Sequence, residues 1–147
     1  MGGEFLYLDS SALVKLVLPE VESAALLESL SDWPVRVTSE LARVETLRAV
    51  RRATAETAAE KRAEEVMAGL YLLKMDSDIL SEAARLEPRS LRSLDAIHLA
   101  SALSLGADLG AIVVYDSNLA AAAAGCDLQV MAPGVAGESA TTIETGG

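Results

Sequence analysis

The stretch Phe5–Leu18, FLYLDSSALVKLVL, decides the fold because its pattern changes at one residue. The apolar run over residues 4–8 predicts a short buried strand. It stops on Asp9, and an apolar pattern resumes over residues 12–18, which predicts a helix that Pro19 ends. Ser10 or Ser11 is a suitable N-cap for that helix. The stretch therefore predicts a strand followed at once by a helix, the repeating unit of an α/β fold.

The rest of the chain repeats this alternation. Further short strands are predicted at Val35–Val37, Tyr71–Met75, residues 111–115 and Leu128–Met131. Helices are predicted over residues 20–30, from Thr38 or Ser39 to about 53, and over 55–69, 77–86, 93–106 and 118–124. Together these elements predict an α/β/α sandwich around a central, mostly parallel sheet. We expect one domain over residues 1–134 and a flexible Gly-, Ser- and Thr-rich tail over 135–147.

Three of these helices carry specific expectations. Residues 20–30 should bury Ala24, Leu27 and Leu30 along one face. The next helix should place Leu41, Val44, Leu47 and Val50 on its apolar face. In the 93–106 helix, Leu94, Ile97, His98 and Ala102 should form one stripe, with Gly106 as the C-cap.

Charge and composition limit the function. The 147 residues carry a net charge of −10, and no Lys or Arg follows Arg92. So acidic a protein binds nucleic acid poorly unless a cation intervenes, because phosphates repel carboxylates. The single cysteine excludes an internal disulfide and a Cys-based metal cluster. With no signal peptide pattern and no apolar run long enough to span a bilayer, we expect a cytoplasmic protein with no membrane partner.

Four acidic residues form the candidate site. Asp9 and Asp116 each end an apolar strand, and Glu45 and Asp95 lie in helices that are otherwise apolar around them. Ligands of open α/β sheets bind beyond the carboxyl ends of the strands, so the four acids could converge there. Four neighbouring carboxylates repel one another unless a cation is bound, and oxygen ligands favour Mg²⁺ or Mn²⁺. Such an ion supplies a hydroxide and polarises a phosphodiester.

Each of these residues also has a structural interpretation. Asp9, Asp95 and Asp116 could serve as helix caps or first-turn acids, and Glu45 could pair with Arg48 on a solvated helix face. His98, the lone histidine, is better explained as a core or interface residue than as a catalytic one. A basic cluster could contact RNA phosphates or simply be solvated. Its members are Arg43, Arg48, Arg51 and Arg52.

The segments YLDSSALVKL, ELARVE, LRSLDAIHLASAL and VVYDSNLAAAA resemble, in order and spacing, the acidic motifs of PIN-domain ribonucleases, most of all VapC-type toxins of type II toxin–antitoxin systems. The resemblance covers residues 5–133. It implies a Mg²⁺- or Mn²⁺-dependent endoribonuclease, a hydrolase whose catalytic quartet is Asp9, Glu45, Asp95 and Asp116. Asp9 and Asp95 would be the main metal ligands, with Asp116 and Glu45 contributing directly or through water. Ser11 would be a small polar residue near the metal, and Asn118 would stand near a position where relatives carry another acid.

The resemblance also implies partners: an RNA substrate, a second copy of the chain in a homodimer, and a VapB-type antitoxin with a basic inhibitory segment. The alternative is a catalytically silent PIN fold that binds RNA or protein, although a binding module has no reason to keep four mutually repelling carboxylates. A phosphoryl-transfer protein is excluded on two residues. A phosphatase of this kind needs a second Asp where Ser11 stands, and a receiver domain needs a Lys late in the chain.

Overall fold

The computed structural model describes residues 3–136. Within them lies a five-stranded sheet in which every neighbouring pair is parallel, in the order β3-β2-β1-β4-β5. The strands are β1 (Phe5–Leu8), β2 (Val35–Ser39), β3 (Tyr71–Leu73), β4 (Leu109–Val113) and β5 (Val130–Met131). The predicted α/β class with a central parallel sheet is therefore confirmed. The predicted tail, apart from residues 135 and 136, lies outside the described residues.

Across the described part of the chain, seven α-helices connect and cover the strands of this sheet. They are α1 (Ser10–Val17), α2 (Ser23–Ser29), α3 (Leu41–Ala53), α4 (Thr57–Ala68), α5 (Ser77–Ala83), α6 (Ser93–Leu103) and α7 (Ser117–Gly125). Within residues 3–136, none of the helices is long and apolar enough to cross a membrane.

Alternation along β1 sorts the helices into two layers. Leu6 and Leu8 face one core, which is shared with α1, α2 and α3. Tyr7 faces the other core, which is shared with α6 and α7. Successive strand side chains point to opposite faces, so one four-residue strand supplies both cores. The result is the predicted α/β/α sandwich, with β1 at its centre.

The register of the sheet sets the position of the candidate site. Tyr7 lies opposite Val37 of β2 and Ile112 of β4, and Leu8 lies opposite Val113. The backbone N–H of Asp9 then donates to the carbonyl of Val113 at 3.3 Å. From β1 the strand order runs through β2 to β3 on one side of the sheet, and through β4 to β5 on the other. The carboxyl ends of β1 and β4 therefore form a topological switch point, where open α/β sheets bind ligands.

Several predicted boundaries are wrong. Thr38 and Ser39 belong to β2 and do not begin the following helix, because both are buried and pair in register with β3. Their tertiary pairing outweighs the preference of Ser and Thr for helix caps. The Ser39 hydroxyl instead accepts from the backbone N–H of Leu41 at 3.1 Å. Similarly, β3 ends at Leu73, before Met75.

Helix faces also differ from the prediction. α2 begins only at Ser23; its Leu26 is buried and Leu27 is exposed, while Leu30, just after the helix, is buried as predicted. In α3, Ala42, Thr46 and Val50 are buried and Val44 is exposed. The predicted stripes rest on hydrophobicity alone. The buried face of α3 also includes the small Ala42 and the polar Thr46. Finally, α6 ends at Leu103, and Gly106 opens a short 3₁₀ turn with a positive φ of 56°.

Candidate active site

Asp9 is both the N-cap of α1 and a buried carboxylate. Its Oδ1 accepts from the backbone N–H of Ala12 at 3.1 Å, so the cap predicted for Ser10 or Ser11 is supplied by Asp9. Ser11 donates its hydroxyl to the same oxygen at 2.6 Å. Burial raises the pKa of Asp9 to about 6, although the bonds from Ser11 and Ala12 oppose the rise. Helix capping alone does not require a carboxyl whose pKa lies this close to neutral pH, so Asp9 is more than a cap.

Ser11 joins the ends of the two central strands. Besides donating to Asp9, its hydroxyl oxygen accepts from the backbone N–H of Tyr115 at 3.1 Å, just beyond β4. The Tyr115 hydroxyl in turn donates to the carbonyl of Pro133 at 2.7 Å. One small hydroxyl therefore fixes Asp9 relative to the segment that carries Asp116.

Glu45 points inward from α3 to a buried histidine. Its Oε1 lies 2.6 Å from Nε2 of His98 on α6. The other ring nitrogen, Nδ1, lies 2.7 Å from the hydroxyl of Tyr7 on β1. The proposed Glu45–Arg48 pair on a solvated face is wrong, because this carboxylate is bonded to His98 and its side chain is only 20% exposed. The burial predicted for His98 is confirmed.

Asp95 lies in the first turn of α6 with an unsatisfied oxygen. Its Oδ2 is buried and accepts no hydrogen bond among the described residues. The cationic group beside it, Nε of Arg92, lies 3.9 Å away, which allows Coulombic attraction but not a hydrogen bond. Burial raises the pKa of Asp95, and the charges of Asp116 and Glu45 raise it further, against Arg92 and His98. A buried acceptor without a partner is costly, and a cation or a hydrogen-bond donor would satisfy it.

Asp116 is the N-cap of α7, and its Oδ2 accepts from the backbone N–H of Leu119 at 2.9 Å. The capping interpretation of Asp116 is therefore correct as a local description. Its charge also acts on Asp95, so it belongs to the same acidic site. Asn118, the second residue of α7, is exposed and lines a cavity of about 570 Å³ with residues of the α5–α6 connection.

The four acids form one electrostatic group at the carboxyl edge of the sheet. Asp9 interacts with Glu45, and Asp95 interacts with both Glu45 and Asp116. Within residues 3–136, however, no three Asp, Glu, His or Cys side chains are arranged to hold a metal ion. The donor set nevertheless fits a hard cation. It consists of carboxylate oxygens, and the unpartnered Oδ2 of Asp95 is a buried acceptor that a cation would satisfy.

The predicted basic cluster lies on α3, the helix that also carries Glu45. Arg43, Arg48 and Arg51 line a groove of about 1100 Å³ between α3 and α4, and Arg51 donates to Glu60 at 3.1 Å. Arg52 is exposed. Sequence reasoning missed Arg92, the arginine that acts on Asp95. Its position, three residues before Asp95 at the start of a helix, was the available signal.

Comparison with known proteins identifies the family of this chain. The PIN domain family matches residues 6–125, a span that runs from β1 to the end of α7 and includes all four acids.

The chain belongs to the PIN domain family.

Within this family it is 44% identical over 128 residues to ribonuclease VapC46 of Mycobacterium tuberculosis, which covers 87% of this chain and 97% of the relative. It is also 44% identical over 138 residues to ribonuclease VapC35 of the same species, covering 89% and 98%. The predicted recognition of a VapC-type PIN domain is therefore confirmed.

Solved structures agree on the PIN fold. VapC20 of Mycobacterium tuberculosis, described as a sarcin-ricin loop cleaving toxin, superposes with a TM-score of 0.63 at 17% identity, covering 80% of this chain and 94% of that one. VapBC2 of Rickettsia felis, bound to a promoter DNA fragment, gives 0.66 at 11% identity, covering 88% and 98%. At such identities the likeness concerns the fold alone.

Proposed function

We propose that this PIN domain is the ribonuclease toxin of a toxin–antitoxin pair and that its hydrolysis of RNA phosphodiesters requires Mg²⁺ or Mn²⁺. The observation that carries the proposal is the coupling of Asp9, Glu45, Asp95 and Asp116 at the switch point of the sheet. The full-length likeness to two VapC ribonucleases supports the same activity.

The metal dependence follows from the acids themselves. Asp9, Asp95 and Asp116 would hold the ion, with Glu45 contributing directly or through water. When bound, Mg²⁺ or Mn²⁺ would lower the pKa of a coordinated water and offset the charge of the phosphate. Without a cation, an RNA phosphate approaching this edge would meet only repulsion from the four carboxylates.

The chain's own residues set the geometry of the site. Ser11 and the Ala12 N–H hold Oδ1 of Asp9, and the Leu119 N–H holds Oδ2 of Asp116. These bonds fix two carboxylates on the rigid ends of β1 and β4, as positioning of a reacting group requires. The exposed arginines of α3, the helix that also carries Glu45, would contact RNA phosphates.

Inhibition by a VapB-type antitoxin follows from the same charges. The solved relatives include a toxin–antitoxin complex from Klebsiella pneumoniae and the VapBC2 complex. An Arg or Lys from a partner would form charge-assisted hydrogen bonds with these carboxylates and would compete with the metal. We therefore propose a cationic antitoxin segment that blocks the site in trans, on a toxin that is a homodimer in the cytoplasm.

The decisive experiment incubates the purified chain with cellular RNA, with and without Mg²⁺ or Mn²⁺, and maps the new RNA ends. Asp9→Asn is the matched variant. Asn is as good an N-cap as Asp, so the fold should persist while cleavage falls by on the order of 10²–10³-fold or more.

Two results would contradict the proposal. One is cleavage by Asp9→Asn at the parent rate. The other is full activity of the parent after exhaustive chelation. Tight RNA binding by the parent with no new ends under any metal would instead favour the silent binding module.

A further inference from the structure

Three side chains from different elements form a buried chain behind the acidic site. The hydroxyl of Tyr7 on β1 contacts Nδ1 of His98 on α6 at 2.7 Å. Nε2 of the same ring contacts Oε1 of Glu45 on α3 at 2.6 Å. Tyr7 is fully buried and His98 is 2% exposed. These two hydrogen bonds therefore link β1 to Glu45 through the imidazole of His98, which is almost fully buried.

The chemistry of the three groups fixes where the hydrogens lie. An ionised carboxylate only accepts hydrogen bonds, so the 2.6 Å contact with Glu45 places a hydrogen on Nε2. A neutral imidazole with Nε2–H presents Nδ1 as an acceptor. The Tyr7 hydroxyl, 2.7 Å from this nitrogen, then donates its hydrogen to Nδ1. Tyr7 thus selects the tautomer of His98 that can donate to Glu45.

We propose that His98 is a positioning residue that holds the Glu45 carboxylate in the site through Nε2–H, with the Tyr7 hydroxyl setting the tautomer of the ring. This inference rests on the proposed ribonuclease function only for the role of Glu45. Glu45 interacts unfavourably with Asp9 and Asp95, and its long side chain has several rotamers. Without the imidazole, repulsion would turn it away from the other acids.

The tautomer can be tested without any activity. His98 is the only histidine of the chain, so the untagged protein gives a single imidazole in a two-bond ¹⁵N–¹H spectrum. The spectrum of the parent protein should show the neutral Nε2–H form. In Tyr7→Phe it should change toward a mixture of tautomers. An Nδ1–H ring, a doubly protonated ring, or an unchanged spectrum in Tyr7→Phe would overturn the proposal.

A matched pair of variants tests the consequence for Glu45. His98→Met keeps an apolar side chain of similar size but has no donor, whereas His98→Gln restores an N–H. We expect kcat/KM for RNA to fall about 10–100-fold in His98→Met, mainly through kcat, and to recover in large part in His98→Gln. Equal activity of His98→Met and the parent, or no recovery in His98→Gln with both variants folded by circular dichroism, would overturn it.

The two proposals fail in different ways. If the parent protein cleaves no RNA under any metal, the proposed function fails, while the imidazole spectrum still decides the tautomer. If the parent cleaves RNA but the ring shows the wrong tautomer, only the positioning role fails. Should His98→Met be unfolded, the comparison of Tyr7→Phe with the parent supplies both the spectrum and the kinetic test.

Discussion

The two halves of the acidic site are built differently. In the first, Asp9 is bonded to Ser11 and Ala12, and Glu45 is bonded to the buried His98. In the second, Asp116 is held as the N-cap of α7, but Asp95 has an unpartnered oxygen that lies 3.9 Å from an arginine. The comparison teaches that the protein fixes both carboxylates of the first half but only one of the second, where Asp95 keeps an unsatisfied oxygen among the described residues. That division suits a site that must accept a cation and then a charged substrate.

Asp95→Asn is expected to have the largest effect on this difference between the two halves of the site. Removing this charge should weaken Mn²⁺ binding by on the order of 100-fold, because a carboxylate ligand is replaced by a neutral amide. In the metal-free protein the same change removes repulsion from Asp116 and Glu45, so it should raise Tm by about 2–4 °C. Calorimetry and thermal unfolding in chelator measure the two effects. Unchanged Mn²⁺ affinity would remove Asp95 from the metal ligands.

The buried half should make stability depend on pH. Asp9 has a pKa of about 6 when folded and about 3.8 as a free side chain, so the folded state binds the proton more tightly. Folding is therefore favoured while Asp9 is protonated, and stability is lost as the pH rises from about 4 to about 6. The loss should be on the order of 2–3 kcal/mol in chelator. Denaturant titrations at several pH values measure it.

Asp9→Asn is the control for this pH dependence, because it removes the titrating group and keeps the cap. The parent should lose more stability than the variant across that interval, and Mg²⁺ should restore the parent near neutral pH. Identical pH profiles for the two proteins would show that Asp9 does not titrate in this range.

A smaller effect is expected for the exposed arginines of α3, which belong to neither half of the acidic site. Changing Arg51 and Arg52 together to Ala should raise KM for RNA by a few-fold and lower kcat less, because phosphate contacts serve mainly to bind. The slope of log affinity against log salt should decrease by about 1 for each lost phosphate contact. Glu60→Ala should act in the opposite direction, since it releases Arg51 from its ion pair. No change in KM for either variant would assign these arginines to a solvated surface.

Local pattern was enough to predict the sandwich and the position of two acids. An apolar run that stops on an aspartate predicts a strand end, and parallel strands bring such ends together, which located Asp9 and Asp116. Glu45 and Asp95 were recognised because a charge in an apolar helix needs a partner. For Glu45 that partner is His98, which lies 53 residues away in sequence. No periodicity reveals such a contact.

The errors have a related cause. Thr38 and Ser39 have the local preferences of a helix cap, yet they pair with β3 and are buried. Val44 has the spacing of a core residue, yet it is exposed while Thr46 is buried. In both cases the packing between elements decides, and a one-dimensional pattern contains no information about which neighbours will be present. The donor–acceptor chain from Tyr7 to Glu45 depends on the same three-dimensional packing.

The central place of β1 in the sheet has a consequence during synthesis on the ribosome. β1 is translated before its neighbour β4, and it cannot complete its pairing until β4 has emerged. Asp116 is translated later still. A nascent or prematurely terminated chain that lacks this segment has neither the full sheet nor the full set of acids, so a cell making the proposed toxin would face its activity only after β4 and Asp116 have been translated.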